Sequence, residues 1–154
     1  MNIQQQKLLI EQIDRRIGEM KLLSELSPPS SGWIHTIRKA LKMSLRQLGQ
    51  RLEISAQSVK EMEQREMDGR ITLKSLNEVA NALEMRVVYA VVPKNESLEK
   101  MIEKKALEIA REIVLRTSNT MLLEDQENSK ERIERAIQEK AKIIIDTMPK
   151  YLWE

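Results

Sequence analysis

Apolar positions recur at helical spacing over most of the chain. Leu9, Ile13, Ile17 and Met20, with Ile10, Leu22 and Leu23 widening the stripe, predict an amphipathic helix over residues 2–26. The SPPSSG segment at 27–32 ends it, because proline cannot continue a helix and serine and glycine favour turns. Ile34, Ile37, Leu41 and Met43 form the next periodic face. Ser44 then stands where its hydroxyl can cap LRQLGQRL, and Gln47 three residues later suits a capping box. Glu53-Ile54-Ser55 reads as a tight break, with Ser55 capping a further helix, AQSVKEMEQ. MDGR at 67–70 is a turn, and Thr72 is placed to cap TLKSLNEVANALEM.

The pattern changes after residue 85. RVVYAVV (86–92) is rich in β-branched residues and predicts one short strand, ended by Pro93. Nothing in the chain is an obvious strand partner, which leaves pairing with a second copy or with the apolar tail TMPKYLWE. Residues 96–118 and 129–146 then return to helical spacing. The fold class expected is mainly α, with three regions: a helix and linker (1–32), a compact helical domain ending in the strand (33–93), and a helical extension (94–154). That extension serves core completion, dimerisation or partner docking.

Composition narrows the chemistry. There is no cysteine, which excludes disulfides and cysteine-ligated zinc. Aromatic residues make up 3%, so any core must be aliphatic. No apolar stretch is long enough for a membrane span and no signal-peptide core is visible, so no membrane association is expected and the cytoplasm is the expected compartment. The lone His35 lacks an HxxxH or HExxH setting, and no glycine-rich phosphate loop is present. The chain therefore reads as a non-enzyme needing no cofactor or metal.

Charge adds a direction. Residues 33–60 carry Arg38, Lys39, Lys42, Arg46, Arg51 and Lys60 against Glu53 alone, whereas residues 93–154 are nearly balanced. A local positive zone in a protein of net charge +2 suggests a polyanion footprint.

The spacing within 44–64 joins these signals. Leu48 and Leu52 share a face, three residues separate the two short helices, and Ile54, Val59 and Met62 are placed to fill the corner, as in a helix-turn-helix. The second helix then offers Ser55, Ala56, Gln57, Ser58 and Lys60 for base edges, Gln57 being suited to adenine. Arg38, Lys42, Arg46 and Arg51 are candidates for phosphate. Glu61, Glu63, Glu66 and Asp68 would repel phosphate if they faced it; Glu63 is a candidate internal partner for Arg51, and the other three are expected to face away.

SLRQLGQRLEISAQSVKEMEQ resembles the Cro/C1-type (XRE) helix-turn-helix. The longer stretch from Ser31 to Pro93, with TMLLEDQ near position 120, resembles the mobile mystery protein A family. The resemblance implies a five-helix DNA-binding core with added segments, and base contacts centred on Gln57 and Ser58. The chain departs from the pattern at Glu53, where glycine is common, and at Gly49, where a small alanine is common. On helix propensity alone, Gly49 should cost roughly 0.5–1 kcal/mol relative to alanine. The resemblance also implies a neighbouring Fic-domain protein, and hence an antitoxin-like repressor of a shared operon. Some Fic inhibitors carry a Ser/Thr-x-x-x-Glu-Gly/Asn helix; Thr120 and Glu124 fit its first part, but Asp125 replaces the last residue. The expected partners are double-stranded DNA, a second copy in a homodimer, and a Fic-domain toxin. The competing expectation is a helical adaptor that inhibits a protein partner without specific DNA binding.

Overall fold

The computed structural model describes residues 1–118 and 126–154, with side chains described outside 126–129. The described chain is mainly α-helical and divides into two compact units, residues 22–90 and residues 1–21 with 91–154. The first helix thus groups with the C-terminal helices rather than standing alone.

In the discontinuous unit, α1 (Ile3–Glu19) starts at a capping box in which Asn2 and Gln5 exchange hydrogen bonds of 2.8 and 3.1 Å. The predicted helix over 2–26 is interrupted at Met20, and α2 (Lys21–Ser24) is one turn at the boundary between units. Gly18 in the last turn of α1 weakens helix propagation there. The long helices α7 (Leu98–Ser118) and α8 (Gln126–Thr147) pack through Ile102, Ala106, Ala110, Ile137, Ala141 and Ile144. Alanines at the contact let the two backbones approach. Asp14 of α1 caps α7 by accepting from the main-chain N–H groups of Leu98 (2.8 Å) and Glu99 (3.2 Å). The apolar chain end has a structural reason: it forms a 3₁₀ turn (Lys150–Trp153) that puts Leu152 in this core, fully buried.

The continuous unit contains α3 (Trp33–Ala40), α4 (Leu45–Leu52), α5 (Ala56–Met67) and α6 (Leu73–Ala82). Ser44, Ser55 and Thr72 cap α4, α5 and α6, each accepting from the N–H three residues on. Ile34, Leu48, Val59, Val79 and Leu83 form its core. Fully burying such side chains contributes about 1.5–3 kcal/mol each. Four helices of two or three turns carry this unit's core, and most of the one-turn α2 precedes them.

The expected strand is absent: no β-strand occurs among the described residues. Residues 86–92 have the side chains of a strand but no ladder, and a strand exists only by hydrogen bonding to another. Val88, Tyr89 and Val91 stand 62, 67 and 86% exposed. Among the described residues no helix is long and apolar enough to cross a membrane.

Candidate nucleic-acid interface

The corner between α4 and α5 is built around Gly49. A methyl group there would lie 2.6 Å from the carbonyl oxygen of Ile54 and 3.3 Å from the carbonyl carbon of Ser55, both main-chain atoms. The close neighbour is therefore the turn backbone, and the alanine that helix propensity prefers does not fit. Glu53 takes the left-handed conformation (φ +57°), which explains why glycine suits this position. The turn closes with the N–H of Ile54 donating to the Gly49 carbonyl at 2.9 Å.

A buried ion pair ties α3 to α5. Arg38 and Glu63 are 6 and 7% exposed and meet side by side, with Arg38 Nε on Glu63 Oε1 (2.5 Å) and Nη2 on Oε2 (3.0 Å). Arg38 Nη1 also donates to the Met43 carbonyl at 2.9 Å, and His35 Nδ1 lies 2.9 Å from Glu63 Oε2. Burial pushes the Glu63 carboxyl up, but hydrogen bonds and charge from Arg38 and His35 outweigh it and hold it below the ordinary glutamate range. Two expectations change here. Arg38 is an internal residue, occupied on both sides, and leaves the phosphate-contacting set. The partner of Glu63 is Arg38 rather than Arg51.

Glu66 has an equally definite task. Its carboxylate accepts from the main-chain N–H groups of Trp33 (2.8 Å) and Ile34 (2.9 Å), at the positive end of α3. Gly32, at φ +81°, makes room: a methyl group on it would sit 2.8 Å from Glu66 Oε2. Asp68 is paired with Arg70 at 2.6 Å and accepts from Gln64 at 3.0 Å. Of the four acidic residues that would repel phosphate if they faced it, Glu63 and Glu66 are thus turned to internal work and Asp68 is paired beyond the end of the helix. Glu61 departs from the expectation that it faces away: it is exposed on the same side of α5 as Gln57 and Lys60.

The exposed side of α5 is a stripe of Gln57, Lys60, Glu61 and Gln64, at spacings of three and four. Gln57 and Lys60 are two of the five base-reading candidates of the sequence; Glu61 and Gln64 are additions to that set, although the same spacing marks them. Ser55 and Ser58 are partly committed: the Ser55 hydroxyl accepts from the Ser58 N–H at 3.0 Å and lies 2.9 Å from its hydroxyl. Ala56 is half-buried at the first turn.

The remaining phosphate candidates differ in freedom. Arg46 and Lys42 are exposed, and neither forms an ion pair among the described residues; Lys42 has a left-handed backbone (φ 52°). Arg51 donates to the Ala82 carbonyl at the end of α6 (3.0 Å) and lies 3.5 Å from Glu84. Lys42 and Arg51, with Leu41, Met43, Gln47 and Gln50, line a shallow groove of about 430 Å³ beside α4. Gln47 and Gln50 are further polar groups that a search for charge passes over. Thr120 and Glu124 lie outside the described residues. Among the described residues no cluster of His, Asp or Glu is arranged to hold a metal ion.

No family model, curated protein or solved structure matches this chain.

Proposed function

We propose that residues 22–90 are a sequence-reading DNA-binding module and that the protein is a transcriptional repressor. The observation that carries the reading is the division of charge around α5. Its outer stripe is polar, and two acids of the same helix, Glu63 and Glu66, are withdrawn into internal contacts. Lys42 and Arg46, without ion-pair partners among the described residues, stand on the preceding segment. An α-helix fits the major groove, where Gln57 suits the N6/N7 edge of adenine and Lys60 reaches a guanine edge or a phosphate. Lys42, Arg46 and, with less freedom, Arg51 contact the sugar-phosphate backbone, which gives affinity and register rather than sequence choice. The first N–H groups of α4 and α5 suit phosphate oxygens. Two copies on a two-fold symmetric site supply the specificity that one such helix lacks. The same reading puts its work in the cytoplasm.

The test is gel mobility of the full chain on the DNA upstream of its own gene and on a scrambled duplex, across a salt series. Preferential retention of the upstream duplex is expected, with the salt slope falling by about one for Arg46→Ala. Failure to retain any duplex at low salt rejects the reading. An antitoxin-like pairing with a Fic-domain protein rests on the sequence resemblance alone, and adding the adjacent gene product to the same assay tests it. The adaptor reading has one observation in its favour, the exposed apolar run at Val88, Tyr89 and Val91.

A further inference from the structure

We infer that Glu61 is a specificity-determining residue of this interface and reads the amino group of a cytosine. The inference rests on the DNA-binding reading and refines it. Glu61 lies one helical turn beyond Gln57 on the same exposed stripe, and Gln57 Nε2 donates to its Oε1 at 3.4 Å. Arg65, a further turn along, holds Nη2 3.7 Å from Glu61 Oε2. Whatever major-groove edge meets Gln57 therefore brings its neighbour to Glu61. Four residues of α-helix rise about 6 Å, roughly two steps of a duplex.

A carboxylate accepts hydrogen bonds and cannot donate them. Guanine shows two acceptors in the major groove and thymine an acceptor and a methyl group, so both are disfavoured opposite it. Adenine offers a donor beside an acceptor that faces the carboxylate unfavourably. Cytosine offers its N4 donor without an adjacent acceptor on the same base. Arg65 offsets part of the charge that Glu61 carries into the groove, and Gln57 orders its side chain. Away from cytosine the same charge repels the duplex, so Glu61 sharpens choice by penalising wrong sites as well as by rewarding the right one.

The experiment is selection of bound duplexes from a random library by the full chain, by Gln57→Ala, by Glu61→Ala and by Glu61→Gln. Wild type should enrich cytosine one or two steps from the position whose preference Gln57→Ala erases. Glu61→Ala should flatten that cytosine position alone, with on the order of tenfold loss of discrimination there and tighter binding to scrambled duplex. Glu61→Gln should move the preference toward adenine. All three variants are at exposed positions, and unchanged thermal melting confirms that folding is not the cause. Enrichment that is the same with and without Glu61, or that shows no cytosine at that spacing, overturns the inference while leaving DNA binding intact. Retention of no duplex by the wild type overturns the parent reading, and this one with it.

Discussion

The two units meet the same difficulty, an aliphatic core with hardly any aromatic residues, by different means. The unit of α1, α7 and α8 uses length. Helices of 21 and 22 residues lie together through alanine and isoleucine, and its buried residues are all apolar among those described. The unit of α3 to α6 has helices of 8 to 12 residues, too short to define their own packing. Side-chain caps serve both units, from Asn2 and Asp14 in the first and from Ser44, Ser55, Thr72 and Glu66 in this one; what this unit adds is the buried Arg38–Glu63 pair. Long helices can rely on shape. Short ones need a directional bond in the core that says which face turns outward.

Breaking the buried pair is the strongest challenge to that contrast. Glu63→Ala leaves Arg38 buried without its carboxylate and should cost about 3–5 kcal/mol. That is comparable with the whole stability of a unit this small. Hydrogen exchange of the full chain should then report a rise of roughly a hundredfold or more in α3 to α6, with α7 and α8 little changed. An equal loss in both units would erase the distinction. The same pair makes this unit the more acid-sensitive one, because the other unit's lowered carboxyl, Asp146 beside Lys7, is exposed and screened by solvent. The folded value for Glu63 lies below its unfolded value, so its contribution is complete above the ordinary range, about pH 4–5. It is lost as pH falls through the lowered value. Exchange across an acid series should show α3 to α6 opening first.

Ile144→Ala is the corresponding challenge to the unit that relies on shape. It empties a fully buried site in the α7–α8 seam and should cost about 2–5 kcal/mol, read as exchange confined to that unit. Gly49→Ala comes next. Helix propensity favours it, yet its methyl group meets the turn backbone, so a loss of about 1–3 kcal/mol in denaturant melts is expected. A gain in stability would show that the turn yields easily. The smallest effect belongs to Glu53→Gly. Relief of roughly 1–2 kcal/mol of left-handed strain, less about 0.5–1 for glycine's freedom in the unfolded chain, should stabilise by about 0.5–1 kcal/mol.

What is legible in the sequence is what is local. Ser44, Ser55 and Thr72 are identifiable as caps because a cap needs only its own next three residues. The helical stripes are legible for the same reason. The strand is not, because β-branched side chains state a preference, whereas a ladder needs a partner from far along the chain. Arg38 looks like a phosphate ligand only while its charge is read without its position. It stands four residues after Ile34, and Glu63 four after Val59, so each occupies the core stripe one turn beyond a buried aliphatic residue. Periodicity carries that signal. The carboxylates of Asp14 and Glu66 at distant helix starts leave no comparable trace, since 84 and 32 residues separate them from the N–H groups they hold.

Helix α5 divides its positions into two independent sets on one rod. Positions 59, 63 and 66 are bound to the interior and to the start of α3, while 57, 60, 61 and 64 touch little that the fold requires. If the proposed DNA-binding reading holds, substitutions on the second set redirect the protein to a different target while leaving the scaffold standing, so new preferences are accessible by single steps. Any paralogue retargeted in this way would carry its changes on one side of a single helix.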